Sequence, residues 1–328
     1  MMTVSNVING TGQVSATTRA LVRQAIRNAG YIPNPEARSL ASGGSNRIAL
    51  IYSGRQVPFL GEVLFSAFNA TASFGAQLIL RASSSLTKKA LEKLAVGLAR
   101  SGIHGVLLAP PCAEVLAGSA VLSDMKVVAI ATAGALPGMH TLRIDNRTAT
   151  ASLTERLIRL GHRRIGFIAG PPRHGDSKER LAGYEHALEQ SNIRVRQELI
   201  AEGEYTFESG RLAAERLLDL NDKPTAIIAG NDEMAAGALW IAQQRGLKLP
   251  DDLSVAGFDD TPTALKTWPP LTVIRQPIAA MVERAVALLM EDARDAKSSA
   301  SSDEVLDHTL VERASTAPCK PRPDGRKK

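Results

Sequence analysis

The 328-residue chain has few of the features on which secreted, membrane-spanning or catalytic proteins depend. Its two cysteines, Cys112 and Cys319, sit in unrelated contexts without CxxC or Cys/His spacing. That excludes a disulfide framework and a zinc site, and both read as free thiols. No run of about 18 apolar residues is uninterrupted, because the best candidate, 105–122, contains Pro110, Pro111 and Glu114. A helical membrane span is therefore not expected. The start, Met-Met-Thr-Val-Ser-Asn, has neither a charged region ahead of an apolar one nor a transit-type composition, so the expected compartment is the cytoplasm. Catalytic motifs are missing too: no GxSxG, no GxxxxGK[ST], no HExxH, and no ligand spacing among the six histidines. Gly10-Thr-Gly-Gln-Val-Ser15 half matches GxGxxG, but it follows no strand and reads as a turn. Neither an enzyme nor a cofactor is expected.

What is present is a chain long enough for two or three domains, 44% apolar, with a mean hydropathy of −0.05. The net charge of +6 is unevenly placed. Arg19, Arg23, Arg27, Arg38 and Arg47 face only Glu36 in the first 47 residues, and five Lys or Arg face only Asp324 in residues 318–328. The long stretch between is slightly acidic. A basic arm on such a body suits a polyanion-binding module, since phosphate contacts supply most nonspecific affinity for nucleic acid. The C-terminal run reads instead as a disordered solubilising tail.

Patterning divides the chain further. Ser15 is a candidate N-cap for a helix whose apolar face is Leu21, Val22, Ala25, Ile26 and Ala29, ending at Gly30. A short segment from Pro33 to Ala41 follows, then Ser42-Gly-Gly-Ser45. From Arg47 onward, short apolar runs at 48–52, 77–81, 105–109, 127–131, 164–169, 226–229, 255–258 and 271–275 alternate with helical stretches such as 60–74, 148–160, 177–190, 209–220 and 232–245. This alternation predicts an α/β fold with more than one parallel sheet. Ligands then belong at strand C-termini, where Ser53, Asn231, Asp232, Asp259 and Asp260 fall.

Several segments together resemble the lactose-repressor (LacI) family of bacterial transcription regulators over nearly the whole chain. They are Leu160-Gly-His-Arg-Arg-Ile-Gly-Phe-Ile-Ala-Gly-Pro171, Arg180-Leu-Ala-Gly-Tyr184, Asn231-Asp-Glu-Met-Ala-Ala-Gly237, Val255-Ala-Gly-Phe-Asp-Asp260 and Pro270-Leu-Thr-Val-Ile-Arg-Gln-Pro277. Ahead of them, Thr3-Val-Ser-Asn-Val-Ile-Asn-Gly10, Val14-Ser-Ala-Thr-Thr-Arg19 and Gly30-Tyr-Ile-Pro-Asn34 are similar to the family's headpiece. The resemblance implies a homodimeric repressor with no cofactor, whose recognition helix enters the major groove of double-stranded operator DNA at each half-site. Met1, Met2 and Asn6 would read bases, and Thr3, Ser5, Asn9 and Thr18 would lie near phosphates. The 33–41 segment matches the hinge helix, with Asn34, Ala37 and Leu40 toward the minor groove and Leu40 as the wedge into a central base step.

One departure concerns the start. The family headpiece opens with a further helix and turn of about fifteen residues, whereas this sequence begins inside the second helix. A gene start placed at an internal Met codon and a genuine truncation both account for this, and the intact arginine-rich hinge argues for the first. As written, a remnant this small is expected to bind operator weakly.

For the body, the resemblance implies a periplasmic-binding-protein-like fold: two doubly wound parallel-sheet subdomains joined by three crossovers, with the effector between them. Subdomain one would be about 46–146 with 276–304, subdomain two about 147–275 with 305–317, following a small truncated all-α headpiece at 1–45 and preceding the tail at 318–328. Matching positions assign Phe59 and Tyr205 as aromatic walls, Arg180 and Asn231 as donors, and Asp259 as the acceptor, a set that suits a small carbohydrate. Two positions depart from many relatives: Ala131-Thr132 stands where an Asp-Arg pair is frequent, and Val57 where an asparagine is. Both make the first-subdomain wall less polar and favour a modified or aromatic-linked sugar. The resemblance implies that effector-driven closure parts and melts the hinge helices, or, for a co-repressor in the same cleft, acts with the opposite sign. The expected function is a DNA-binding regulator, a repressor of sugar-utilisation genes. The alternatives are a cytoplasmic sugar-binding protein that has lost DNA binding, and a periplasmic one.

Overall fold

A computed structural model describes residues 4, 6–7, 14–28, 47–54, 57–291 and 302–320. The chain divides into two units, Met1–Asn46 and Arg47–Lys328. In the first, Val4, Asn6 and Val7 are helical, and helix α1 spans Ala16–Asn28. Ser15 starts α1 as the sequence predicts: its Oγ accepts from the Thr18 amide at 3.2 Å, satisfying one of the amides a helix start leaves open. Asn6 and Thr18 are half-buried. The other DNA-facing candidates, Met1, Met2, Thr3, Ser5, Asn9, Asn34, Ala37 and Leu40, lie outside the described residues, as does the whole hinge segment.

The second unit contains two six-stranded sheets. Sheet one is built from β1 (Arg47–Ser53), β2 (Gln77–Ser83), β3 (Gly105–Leu108), β4 (Val127–Ile130), β5 (His140–Arg143) and β11 (Asp303–Val305), in the order β11-β5-β4-β3-β1-β2. Sheet two is built from β6 (Ile165–Ala169), β7 (Ile200–Glu202), β8 (Ala226–Ala229), β9 (Ser254–Asp259), β10 (Thr272–Arg275) and β12 (Thr309–Val311), in the order β12-β10-β9-β8-β6-β7. The pairs are parallel except β10 with β12, an antiparallel edge that the expectation of purely parallel sheets did not include. β1, β3, β4, β6, β8 and β9 are apolar because helices cover both faces, so nearly every side chain on them is buried.

Helices flank lobe one: α2 (Pro58–Ser73), α3 (Lys88–Arg100), α4 (Cys112–Leu116) and the late α10 (Ile278–Met290). Lobe two carries α5 (Asn146–Arg159), α6 (Gly175–Gln190), α7 (Phe207–Leu218), α8 (Asp232–Gln244) and α9 (Pro262–Lys266). The chain passes between lobes three times: from β5 to α5, from β10 to α10, and from β11 to β12. β11 extends one residue past the expected boundary at 304, since Val305 pairs with Arg143 of sheet one. The chain also stays packed past 317, correcting the expected start of the tail. The Cys319 amide donates to the Leu160 carbonyl at 2.7 Å and Lys320 pairs with Asp251 at 2.9 Å.

Helix pair α7 and α8 shows how closely this lobe is packed. A Cβ added to Gly237 would lie 2.2 Å from the Phe207 carbonyl oxygen and 2.6 Å from the Arg211 amide nitrogen. Only glycine lets the two backbones approach this far. Gly237→Ala is expected to destabilise the protein by about 1–3 kcal/mol through overpacking, read as a lower Tm by calorimetry. An unchanged Tm would mean the helices can separate at no cost.

Candidate functional site: a cleft between two lobes

Both sheets share the 2-1-3-4-5 doubly wound order, which leaves a crevice at the carboxyl ends of their strands. A cleft opens there, lined by side chains of both lobes. Ser53, Val57, Phe59, Leu60, Ala109, Pro110 and Ala131 line it from lobe one. His174, Asp176, Arg180, Glu204, Tyr205, Asn231 and Asp259 line it from lobe two. Ser53, Ala109, Pro110, Ala131, Glu204, Tyr205, Asn231 and Asp259 sit at or just past strand ends, while Phe59, Leu60, Asp176 and Arg180 come from the helices that follow β1 and β6. Several turn sharply: Ala131, Tyr205 and Asp259 hold φ of 52°, 60° and 106°. Non-glycine residues in this region are strained, and such strain concentrates where function over-determines the backbone.

Arg180 organises the lobe-two wall. It is 5% exposed, its Nε donates to Asn146 Oδ1 at 2.9 Å, and its Nη1 donates to the Gly230 carbonyl at 2.5 Å. Asp176 lies 3.5 Å away and Asp259 3.8 Å, and the guanidinium stacks 3.8 Å from the centroid of Phe258. Burial works against its charge, but Tyr205, Asp176, Asp259 and Asp232 outweigh that and raise its pKa. A buried cation needs such surroundings. Asp259 is 5% exposed and accepts from Gln276 Nε2 at 2.7 Å. Burial pushes its pKa up to about 6, while Arg180 and Gln276 hold it down. The adjacent Asp260 turns elsewhere, to Arg275 at 2.6 Å and Arg313 at 2.7 Å. Asp232, behind the wall, is raised well above the carboxylate range by burial and by Asp259, and it accepts from the Thr261 amide at 2.7 Å.

All five cleft residues named from the sequence line the cleft. Phe59 is half-buried against the lobe-one core, and Tyr205 donates its hydroxyl proton to Asp176 at 2.9 Å. Gly170 makes room for that ring, since a Cβ there would fall 2.2 Å from Tyr205 Cζ. Asn231, expected as a donor to ligand, also has structural partners. Its Oδ1 caps α8 by accepting from the Met234 amide at 3.0 Å, and its Nδ2 donates to the Tyr205 carbonyl at 3.0 Å. These bonds position Tyr205 and the helix start and leave one Nδ2 proton for a ligand. Arg180 likewise directs donors inward and orients carboxylates.

Sequence reasoning missed Asp176, Glu204 and His174. Asp176 and His174 lie in the loop and helix start after β6, whose strand was recognised, so extending the strand-end rule past Pro172 would have found them. Glu204 follows β7, three residues long and too short for an apolar run. Among the described residues, no group of His, Cys, Asp and Glu could hold a metal ion, and no helix is long and apolar enough to cross a membrane.

Glu114 of α4 lies near the seam between lobes and carries a buried oxygen without a hydrogen-bond partner. Close by, a Cβ on Gly175 of lobe two would come 2.6 Å from the Ala133 Cβ of lobe one. Burial pushes the Glu114 pKa up to about 7, and Asp176 adds to this. The folded state therefore binds the proton more tightly than the unfolded chain, and stability falls as pH rises from about 4.5 to about 7. Glu114→Gln is expected to be more stable than the parent at pH 8 by about 1–3 kcal/mol, with the gap closing below about pH 5. Denaturant melts at both pH values read this, and a gap independent of pH would contradict it.

Comparisons with known proteins agree on one lineage. Residues 154–316 match the model of the periplasmic binding protein-like domain, and residues 1–34 match that of the bacterial regulatory proteins, lacI family. The chain is 34% identical over 318 residues to the HTH-type transcriptional repressor CytR of Escherichia coli K12, covering 96% of this chain and 92% of that repressor. It is 33% identical over 320 residues to the transcriptional regulator DegA of Bacillus subtilis 168, covering 96% and 94%. Among solved structures, the transcriptional regulator CelR–cellobiose complex superposes with a TM-score of 0.73 at 31% identity, covering 95% of this chain and 94% of that one. The lac repressor dimer bound to operator and the anti-inducer ONPF gives 0.82 at 25% identity, covering 96% and 95%.

Proposed function

The chain belongs to the lacI family of bacterial regulatory proteins, and from that premise we propose that it represses sugar-utilisation genes as an operator-binding homodimer controlled by a carbohydrate in the interlobe cleft. The cleft carries this reading. It brings the acceptors Asp176, Asp259 and Tyr205 together around the donor Arg180 opposite Phe59, a polar wall and an aromatic face that together fit a ring bearing hydroxyls. The CelR–cellobiose complex and the operator-bound lac repressor support the two halves of the proposal. The protein acts in the cytoplasm, where its DNA is, and performs no catalysis.

Dimerisation follows from exposed apolar surface on both lobes. Phe65 and Phe68 stand out from α2, and Trp240 from α8, while Trp268 is 81% exposed just beyond α9. Surface aromatics on this scale are costly in water and suit a self-complementary interface.

A duplex selected from random sequence is expected to footprint as two half-sites about one helical turn apart, with affinity falling steeply as salt rises. Trp268→Glu is expected to sediment as a monomer and to lose at least tenfold in operator affinity. Asp259→Asn should still bind operator but lose its response to carbohydrate. A single protected half-site, or an Asp259→Asn variant that still responds, would overturn the corresponding part.

A further inference from the structure

The two walls of the cleft differ in chemistry. Among the described residues, lobe one contributes Val57, Phe59, Leu60, Ala109, Pro110 and Ala131, with Ser53 as its polar side chain. Lobe two contributes carboxylates grouped around a single guanidinium, Asp176 and Asp259 each within 4 Å of Arg180. That guanidinium is already directed to Asn146 and Gly230. A carboxylate has about four acceptor sites, and Asp259 uses one oxygen on Gln276, so the wall retains capacity to accept O–H or N–H protons. Among the described residues, an anion would meet the carboxylates of Asp176, Glu204 and Asp259 on this wall.

We infer that the effector is an uncharged glycoside, a sugar ring whose hydroxyls donate to lobe two and whose flat apolar substituent lies against lobe one. This rests on the reading of the cleft as the effector site. The shared chemistry, a sugar joined to a planar ring, is found in aryl glycosides and in nucleosides. A free sugar leaves the apolar wall facing hydroxyls, and a sugar phosphate places negative charge among carboxylates. Phe59 is the residue that covers the planar substituent. Val57 marks the wall most directly: it occupies the N-cap of α2 without a side-chain cap bond. Asparagine there would add a polar group to the cleft and a favourable cap to the helix, so Val57→Asn is expected to fold.

Isothermal titration of the full chain with matched sets decides the matter. Each set holds a free monosaccharide, its phenyl glycoside and its phosphate ester, and ribose with the four ribonucleosides and their monophosphates forms a separate arm. At least one set is expected to show its phenyl glycoside or nucleoside binding at least fivefold more tightly than the parent sugar, with the phosphate ester the weakest. The arm that binds identifies the source. Val57→Asn and Phe59→Ala should each reduce that ratio by more than half, while Val57→Asn keeps the parental Tm or raises it. A smaller ratio in every set that binds, a phosphate ester that binds most tightly, or a ratio unmoved by both variants overturns the inference and leaves the effector site in place. No binding by any member at millimolar concentration overturns the effector-site reading itself.

Discussion

A charged guanidinium kept out of water is the constraint from which this protein's cleft is built. Arg180 has to be surrounded by acceptors, and those acceptors come from four parts of the chain: Asn146 beside an interlobe crossover, Gly230 after β8, Asp176 in α6 and Asp259 at the end of β9. Satisfying one side chain therefore fixes the relative positions of several strand ends. The same arrangement places Asp176 to receive the Tyr205 hydroxyl and Asp259 to receive Gln276. Removing the cation would leave carboxylates buried together without compensation, which is far more costly than losing an exposed ion pair. Surface pairs such as Arg159 with Glu155 contribute little by comparison.

The fold was readable where burial is complete and hidden where it is not. β3, β4, β6, β8 and β9 are covered on both faces, so their composition marks them as strands. β7, β11 and β12 are three-residue edge strands with exposed positions, and β5 begins with a histidine, so none forms an apolar run. They are strands because a neighbouring edge offers hydrogen bonds, which is a tertiary cause. The site divides in the same way. Phe59, Arg180, Tyr205, Asn231 and Asp259 could be located from strand ends and family resemblance. That the Asn231 amide also donates to the Tyr205 carbonyl could not, because that bond depends on where the chain after β7 places its backbone.

The polarity difference between the walls is as informative as the polar groups themselves. Lobe two has an integrated set of hydrogen bonds around Arg180, whereas lobe one presents Val57, Phe59 and Leu60 at the entrance to α2, a helix that begins with proline and no side-chain cap. One wall offers directional hydrogen bonding and the other an apolar shape that excludes water. Specificity in such a site arises from the pairing of the two, since neither alone distinguishes a ligand from its fragments.

The three crossovers between lobes are short: two residues separate Arg143 from Asn146, two separate Arg275 from Ile278, and three separate Val305 from Thr309. Three brief tethers side by side remove sliding and leave a single bending axis, as with a door hung on three pins. Asp260 clasps Arg275 and Arg313 next to two of these tethers, and Asp303 clasps Arg143 beside the remaining pair of strands. The angle between the lobes is therefore the one mechanical coordinate that these tethers leave open to whatever occupies the crevice.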